Sequence, residues 1–213
     1  MNVMQTVRLA ILLCLLSPIT YAETLDVQAL LAEMDVIKNN ESLLASALEE
    51  GYERAVLCVH CHGEDGNSKR DRIPNLASQN SEYLFTQFEH FANGVRKDYV
   101  MSKLAGGLSA QDRVAVALYF SSQEVKPRAN GVATSAEGAR IYMSTCVACH
   151  GQEGHGNANY PRIAGQPYEF LEMTLLRFLN ADEARKNSPM TPVVQHLSEK
   201  QLKEVAAYVS NMP

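Results

Sequence analysis

The chain has 213 residues, 46% of them hydrophobic, which suffices for one large domain or two small ones. Its formal charge of −5 comes from interspersed residues of both signs, without the basic stripe that marks a nucleic-acid binder. Mild acidity fits a soluble protein whose partner offers a basic docking face.

Residues 1–22 have the build of a cleaved secretory signal. Arg8 and the amino terminus are positive, Leu9 to Leu16 is an unbroken apolar run, and Thr20-Tyr21-Ala22 sets small residues at the −3 and −1 positions of a cleavage site. The apolar run falls short of the roughly 20 residues a spanning helix needs, so no transmembrane segment is expected after cleavage. Leu13 before Cys14 argues against a lipoprotein signal. The mature chain would begin at Glu23, in an oxidising exported compartment such as the periplasm. Losing Arg8 takes its charge from −5 to −6. Residues 23–49 hold LDVQALLAEMDVI and SLLASALEE, two amphipathic helical stretches. They predict a helical N-terminal extension packed on the following domain, structural in role.

The rest of the chain is a repeat. Cys58-Val59-His60-Cys61-His62-Gly63 recurs 88 residues on as Cys146-Val147-Ala148-Cys149-His150-Gly151. Pro74, Gln79, Leu84, Phe88 and Phe91 recur at an offset of 87 as Pro161, Gln166, Leu171, Leu175 and Phe178. Met101, Leu108, Ser109 and Tyr119 recur at 89 as Met190, Leu197, Ser198 and Tyr208. Each copy predicts a short helix entering the cysteine motif (around 50–57 and 139–145), a glycine-bearing loop, a helix with apolar residues at helical spacing, a methionine loop and a capped last helix. The caps are Ser109 with Asp112 and Ser198 with Gln201. Tyr119 and Tyr208 should pack the last helices against those bearing Gly51 and Gly138. No segment alternates with period two, so the expected fold is all-α. It comprises a first domain over 50–121, a linker over 122–137 (SQEVKPRANGVATSAE) and a second domain over 138–213.

With Cys14 removed, four cysteines remain: Cys58, Cys61, Cys146 and Cys149. A zinc site would use them as two pairs, a thioredoxin-like dithiol would need a βαβ unit, and disulfides would leave both adjacent histidines unexplained. Cys-x-x-Cys-His is instead the c-type haem attachment signature, and it occurs twice. The thiols form thioethers with the haem vinyl groups, and the histidine is set beneath the iron. Two covalent haems c follow, with His62 and His150 as proximal ligands. Met101 and Met190, at the same place in both copies, are the expected distal ligands; a thioether there raises the potential and suits electron transfer. The Pro74 and Pro161 carbonyls are placed to accept from the proximal rings. Arg162 is either a partner for a haem propionate or a surface arginine. His60, His90, His155 and His196 do not recur at matching positions and read as ordinary polar histidines.

CVHCHGEDGNS and CVACHGQEGHG, the later PNLASQ and PRIAGQ segments, and the methionines before LSAQD and LSEKQ resemble the dihaem cytochromes c4, tandem class I cytochrome c domains. The resemblance covers roughly residues 50–213. It implies axial pairs His62/Met101 and His150/Met190, a pseudo-twofold arrangement of the domains, and periplasmic electron delivery. The acceptor is commonly a terminal oxidase, sometimes at the membrane surface. The extension departs from that pattern. It leaves open a cytochrome subunit of a flavocytochrome sulfide dehydrogenase or another periplasmic dehydrogenase. An enzyme, such as a dihaem peroxidase or a thiosulfate-oxidising cytochrome, would need an open or unusually ligated iron, which symmetric methionines argue against. The expected role is therefore electron transfer between redox partners, not catalysis.

Overall fold

The computed structural model describes residues 27–128, 131–185 and 187–213; the signal peptide expected over residues 1–22 lies outside the described residues. All regular structure among the described residues is helical.

Helix α1 (Val27–Lys38) buries Leu30 and Met34, one turn apart, against α4 (Ser81–Ala92) and α6 (Ala110–Ser121). Lys38 pairs with Glu82 at its end. Asn40 opens α2 (Glu41–Arg54), its side chain accepting from the Leu43 N–H at 3.1 Å. The ESLLASALEE run contains nothing to stop a helix, so α2 continues through residue 49 into the first repeat. The extension and the first unit thus share a helix, where the repeat pattern predicts a break and a new helix near residue 50. A single 3₁₀ turn, Ala55–Leu57, then leads into α3 (Val59–His62).

In each half the first and last helices cross at a glycine. A Cβ on Gly51 would lie 2.2 Å from the Ala115 carbonyl oxygen and 2.7 Å from the Tyr119 Cβ. On Gly138 it would lie 2.3 Å from the Glu204 carbonyl oxygen and 3.2 Å from the Tyr208 Cβ. Only glycine admits this approach, and the two tyrosines cover it.

The drifting repeat offset has a structural origin. Gly51 precedes Cys58 by seven positions, whereas Gly138 precedes Cys146 by eight. After α7 (Ala136–Ile141) the second half takes the extra residue into a wide π turn, Tyr142–Cys146, before α8 (Val147–His150). Both four-residue helices end at glycines with positive φ, 85° at Gly63 and 77° at Gly151. Each methionine opens a short helix where a loop is expected: Met101 in α5 (Met101–Gly107) and Met190 in α10 (Met190–Val194). Upstream side chains hold both starts: Asp98 Oδ1 accepts from the Met101 N–H at 2.9 Å and Ser188 Oγ from the Met190 N–H at 3.3 Å. Helix α9 (Tyr168–Leu179) carries Leu171 and Phe178 inward, and α11 (Glu199–Ser210) buries Leu202, Val205, Ala206 and Val209. Both capping boxes are formed, at Ser109 with Asp112 and at Ser198 with Gln201.

The halves are joined by a reciprocal junction of buried amides. Gln79 Oε1 accepts from the Arg162 N–H at 2.7 Å, and Gln79 Nε2 donates to the Arg162 carbonyl at 2.8 Å. Gln166 does the same with Asn75, at 2.8 and 2.9 Å. Gln79 and Gln166 are repeat equivalents, as are Asn75 and Arg162, so the junction carries the twofold pseudosymmetry of the repeat. The start of the 122–137 segment is strapped to the first half: the Gln123 carbonyl accepts from Ser78 N–H and Oγ, and the Glu124 carbonyl from Asn67 Nδ2.

Candidate haem-binding sites

Each cysteine motif occupies one tight turn of helix, which brings both sulfurs and the imidazole to one side of the chain. The four thiols are half-buried and unbridged. Burial, with Cys149 alongside, pushes the Cys146 thiol up to about 11, and burial also raises Cys58, so these thiols are not acidic, preformed thiolates. Among the described residues no group of three or more His, Cys, Asp or Glu side chains converges on a point that could hold a metal ion.

His62 is 7% exposed and His150 5%. Their Nδ1 atoms lie 2.9 Å from the carbonyl oxygens of Pro74 and Pro161. A carbonyl only accepts, so Nδ1 carries the proton and Nε2 keeps its lone pair for a metal. Burial holds both imidazoles below the usual histidine value, favouring that neutral form. Proline serves here because it offers a carbonyl without a competing N–H. The residue after each proline, Asn75 or Arg162, is gripped across the junction, so the segment that orients each ring is anchored by the opposite half.

In the first half Met101 packs on the same apolar cluster as Cys58, with Leu84, Phe85, Phe88 and Phe91 between helices. In the second half Cys146 packs with Ile141, Tyr142 and Leu171, while Met190 packs with Phe178, Val194 and Leu202. Leu175 and Leu197 belong to both groups and join them. Motif and methionine thus pack on one apolar cluster in the first half and on two linked clusters in the second. The remaining histidines behave as polar residues: His60 Nδ1 lies 3.0 Å from the Val56 carbonyl, His155 pairs with Glu153 at 3.4 Å, His196 is exposed and His90 is partly buried.

Arg162 is not a surface arginine. It is 8% exposed; its Nη2 donates to the Pro213 carbonyl at 2.8 Å and its Nε has no partner. Thr191 Oγ1, next to Met190, is likewise buried and without a partner. Buried donors left unsatisfied are costly. Both lie beside the second pocket, and they fit a group that brings hydrogen-bond acceptors into it.

Sequence reasoning missed the junction. Gln79 and Gln166 were visible as a repeated pair, but their role was not. The available signal was polar residues held constant between two copies beside the proline that faces the histidine.

Residues 135–213 match the Cytochrome c family. Cytochrome c4 of Pseudomonas aeruginosa is 30% identical over 176 residues, covering 76% of this chain and 87% of that protein. The chain belongs to the cytochrome c4 family. A thiosulfate dehydrogenase electron acceptor from Thiomonas intermedia is 31% identical over 176 residues, 75% of this chain and 80% of the relative. The crystal structure of reduced recombinant cytochrome c4 from Pseudomonas stutzeri superposes with a TM-score of 0.69 at 26% identity, over 78% of this chain and 98% of that one.

Membership in the cytochrome c4 family implies one covalent haem c at each Cys-x-x-Cys-His motif, and the protein is a dihaem electron-transfer cytochrome with tandem class I cytochrome c units. The residues fit the group: unbridged thiols, a neutral imidazole with Nε2 free, an apolar pocket and buried donors for its carboxylates. When bound, the haem supplies the one-electron couple. The chain would hold it through the cysteine thiols and orient the imidazoles through the Pro74 and Pro161 carbonyls. Among the described residues no helix is long and apolar enough to cross a membrane.

Proposed function

We propose that this cytochrome c4 carries single electrons in the periplasm between a donor and a terminal acceptor such as an oxidase, at times at the membrane surface, after cleavage behind Ala22. In this reading His62/Met101 and His150/Met190 are the axial pairs, within haem domains at 50–121 and 138–213 linked by 122–137. Pro74 and Pro161 orient the proximal rings, and Arg162 offers its free Nε–H to a propionate.

The observation that carries the reading is the equivalence of the two pockets. Each has a proximal ring held by a proline carbonyl at 2.9 Å and a methionine whose N–H is held by a side chain upstream, at the start of a short helix, and whose side chain packs on the apolar residues of its own half. Two irons closed alike, with a soft thioether that favours Fe(II), change geometry little on reduction. A dihaem peroxidase or a thiosulfate-oxidising enzyme needs one iron accessible or differently ligated, so the equivalence favours transfer over catalysis.

An anaerobic redox titration of the mature, haem-loaded protein tests this, with carbon monoxide and peroxide added at the end. Two low-spin haems that both show the ferric methionine–iron band and ignore both additives are expected. A high-spin haem, or one that binds carbon monoxide or consumes peroxide, overturns the assignment.

The second reading is a dedicated acceptor for a periplasmic dehydrogenase, either a flavocytochrome of the sulfide dehydrogenase type or one acting on thiosulfate. The relative named as a thiosulfate dehydrogenase electron acceptor favours the latter form. Rapid reduction by such a dehydrogenase, or stable co-purification with one, would select it.

A further inference from the structure

Outside the two pockets, the most unusual chemistry is a knot of arginines where the halves meet. Arg96 and Arg185 follow α4 and α9 and are repeat equivalents at the offset of 89 shared by the methionines. Each covers the same ring in its own half: the Arg96 guanidinium carbon is 4.4 Å from the Phe91 centroid, and that of Arg185 is 5.3 Å from Phe178. Phe91 lies in the Met101 cluster and Phe178 in the Met190 cluster, so both guanidiniums lie against the apolar clusters that include the methionines.

The knot crosses the junction. Arg96 feels the charge of Arg177 from the other half, Arg185 feels Arg96 in return, and the Tyr83 phenol of the first half acts on both. Burial and these like charges make the cationic form less favourable, with Arg185 lowered to about 10. Among the described residues Asp98 and Asp182 are the carboxylates that act on Arg96 and Arg185, and both are engaged. Asp98 accepts from the Val100 and Met101 N–H groups at 3.0 and 2.9 Å, and Asp182 holds Arg177 at 2.8 Å. Arg96 Nη1 spends one donor on a neutral group, Gln87 Oε1, at 2.7 Å. Among the described residues three guanidiniums thus face two committed carboxylates in a partly buried place. Such a surplus calls for further anions that offer planar acceptors to forked donors.

We propose that Arg96 and Arg185 form one carboxylate-binding cluster that holds propionates of both haems, so that each arginine tunes both irons. This rests on the two-pocket reading above. A propionate neutralised by a guanidinium stabilises the ferric state less than a bare one, so the cluster raises both potentials. Because the guanidiniums act on one another across the junction, removing either one exposes both haems to uncompensated carboxylate charge.

Spectroelectrochemical titration of the haem-loaded wild type and of R96Q, R185Q, R96K and R185K between pH 5 and 9 tests the cluster. Each Gln variant should shift both midpoints downward by about fivefold in the ferric-to-ferrous ratio at fixed potential, roughly 40 mV at 59 mV per tenfold for one electron. Each should also add a fall of potential with rising pH, as a released propionate titrates, and Lys should restore most of the potential. Midpoints within twofold of wild type with an unchanged pH profile overturn the proposal, as does a shift confined to one haem. If a variant fails to load haem, redox-difference infrared spectra of wild type carrying propionate-labelled haem decide. Carboxylate bands at the position of arginine-paired groups support the cluster, and bands of solvated groups refute it. The methionine–iron band of wild type separates the two levels. Its presence with null variants sinks this cluster alone, and its absence sinks the two-pocket reading.

Discussion

Replacing Gln166 by Leu keeps the side-chain volume while removing both bonds this amide exchanges with Asn75. Gln166 is 3% exposed and Asn75 is 4% exposed, so neither Asn75 backbone group can turn to water. Each buried group left unsatisfied costs about 1–3 kcal/mol, and with partial relaxation the pair should cost about 2–4 kcal/mol. Gln79→Leu strands the Arg162 N–H and carbonyl in the same way and should cost a similar amount. The double variant should lose less than the sum, because once the halves part, water reaches all four groups together. Urea unfolding of the haem-loaded protein, followed by far-UV circular dichroism and by the haem band, measures this. Wild type should unfold in one transition, each single variant at a lower midpoint, and the double variant in two steps. Because Asn75 and Arg162 directly follow the prolines that face His62 and His150, the single variants should also move the haem midpoints. If both singles stay within about 0.5 kcal/mol of wild type, these amides do not hold the halves together and the junction argument fails.

Gly51→Ala and Gly138→Ala each drive a methyl to within 2.2–2.3 Å of a backbone oxygen, so the crossing helices must separate. A loss of about 1–3 kcal/mol is expected by thermal denaturation, and wild-type stability would show that the crossings are loose. Tyr142 is buried against Cys146 and Tyr208, and its phenol is pushed up to about 12. A raised folded value means that stability is full below the unfolded value near 10 and is lost as pH rises from there to about 12. Tyr142→Phe should remove one proton from the slope of stability against pH in that window, leaving the share of Tyr168, which is also raised to about 12. An unchanged slope would contradict the assignment.

The two haem motifs were legible because their chemistry is local in sequence. Cys58 to His62 and Cys146 to His150 are contiguous, and the proline, glutamine and methionine that recur with each motif stand at nearly constant distances in both copies. The capping boxes were legible for the same reason, as three-residue patterns that act on their own backbone. What escaped depends on contacts between the halves. Nothing near Gln79 in sequence says that it will bond Arg162 N–H and carbonyl, 83 positions away. The length of α2 escaped because repeat matching reports where two copies agree, whereas the helix extends upstream into residues with no counterpart. The loop expected around each methionine is a short helix instead, and it escaped because the Asp98 bond to the Met101 N–H is a single side-chain contact within an irregular run.

The halves are alike in their haem motifs and in the proline carbonyl that faces each histidine, and unlike in how each is supported, and this difference has a measurable consequence. The first half gathers fourteen of the described residues into one buried apolar cluster, including Leu30 and Met34 from the extension. The second half divides its buried apolar residues into a group of six and a group of three, joined through Leu175 and Leu197. A thinner core yields less stabilisation on folding, at roughly 25 cal/mol per Å² of apolar surface, and a covalent haem staples both halves equally. Local opening should therefore be easier in the second half. Native-state hydrogen exchange on the haem-loaded protein should find the amides of α11 less protected than those of α6, although both helices are twelve residues long and both begin with a capping box. Equal protection would mean that the junction locks the two halves into one cooperative unit strong enough to mask the difference in their cores, and the extension would then be idle as a support.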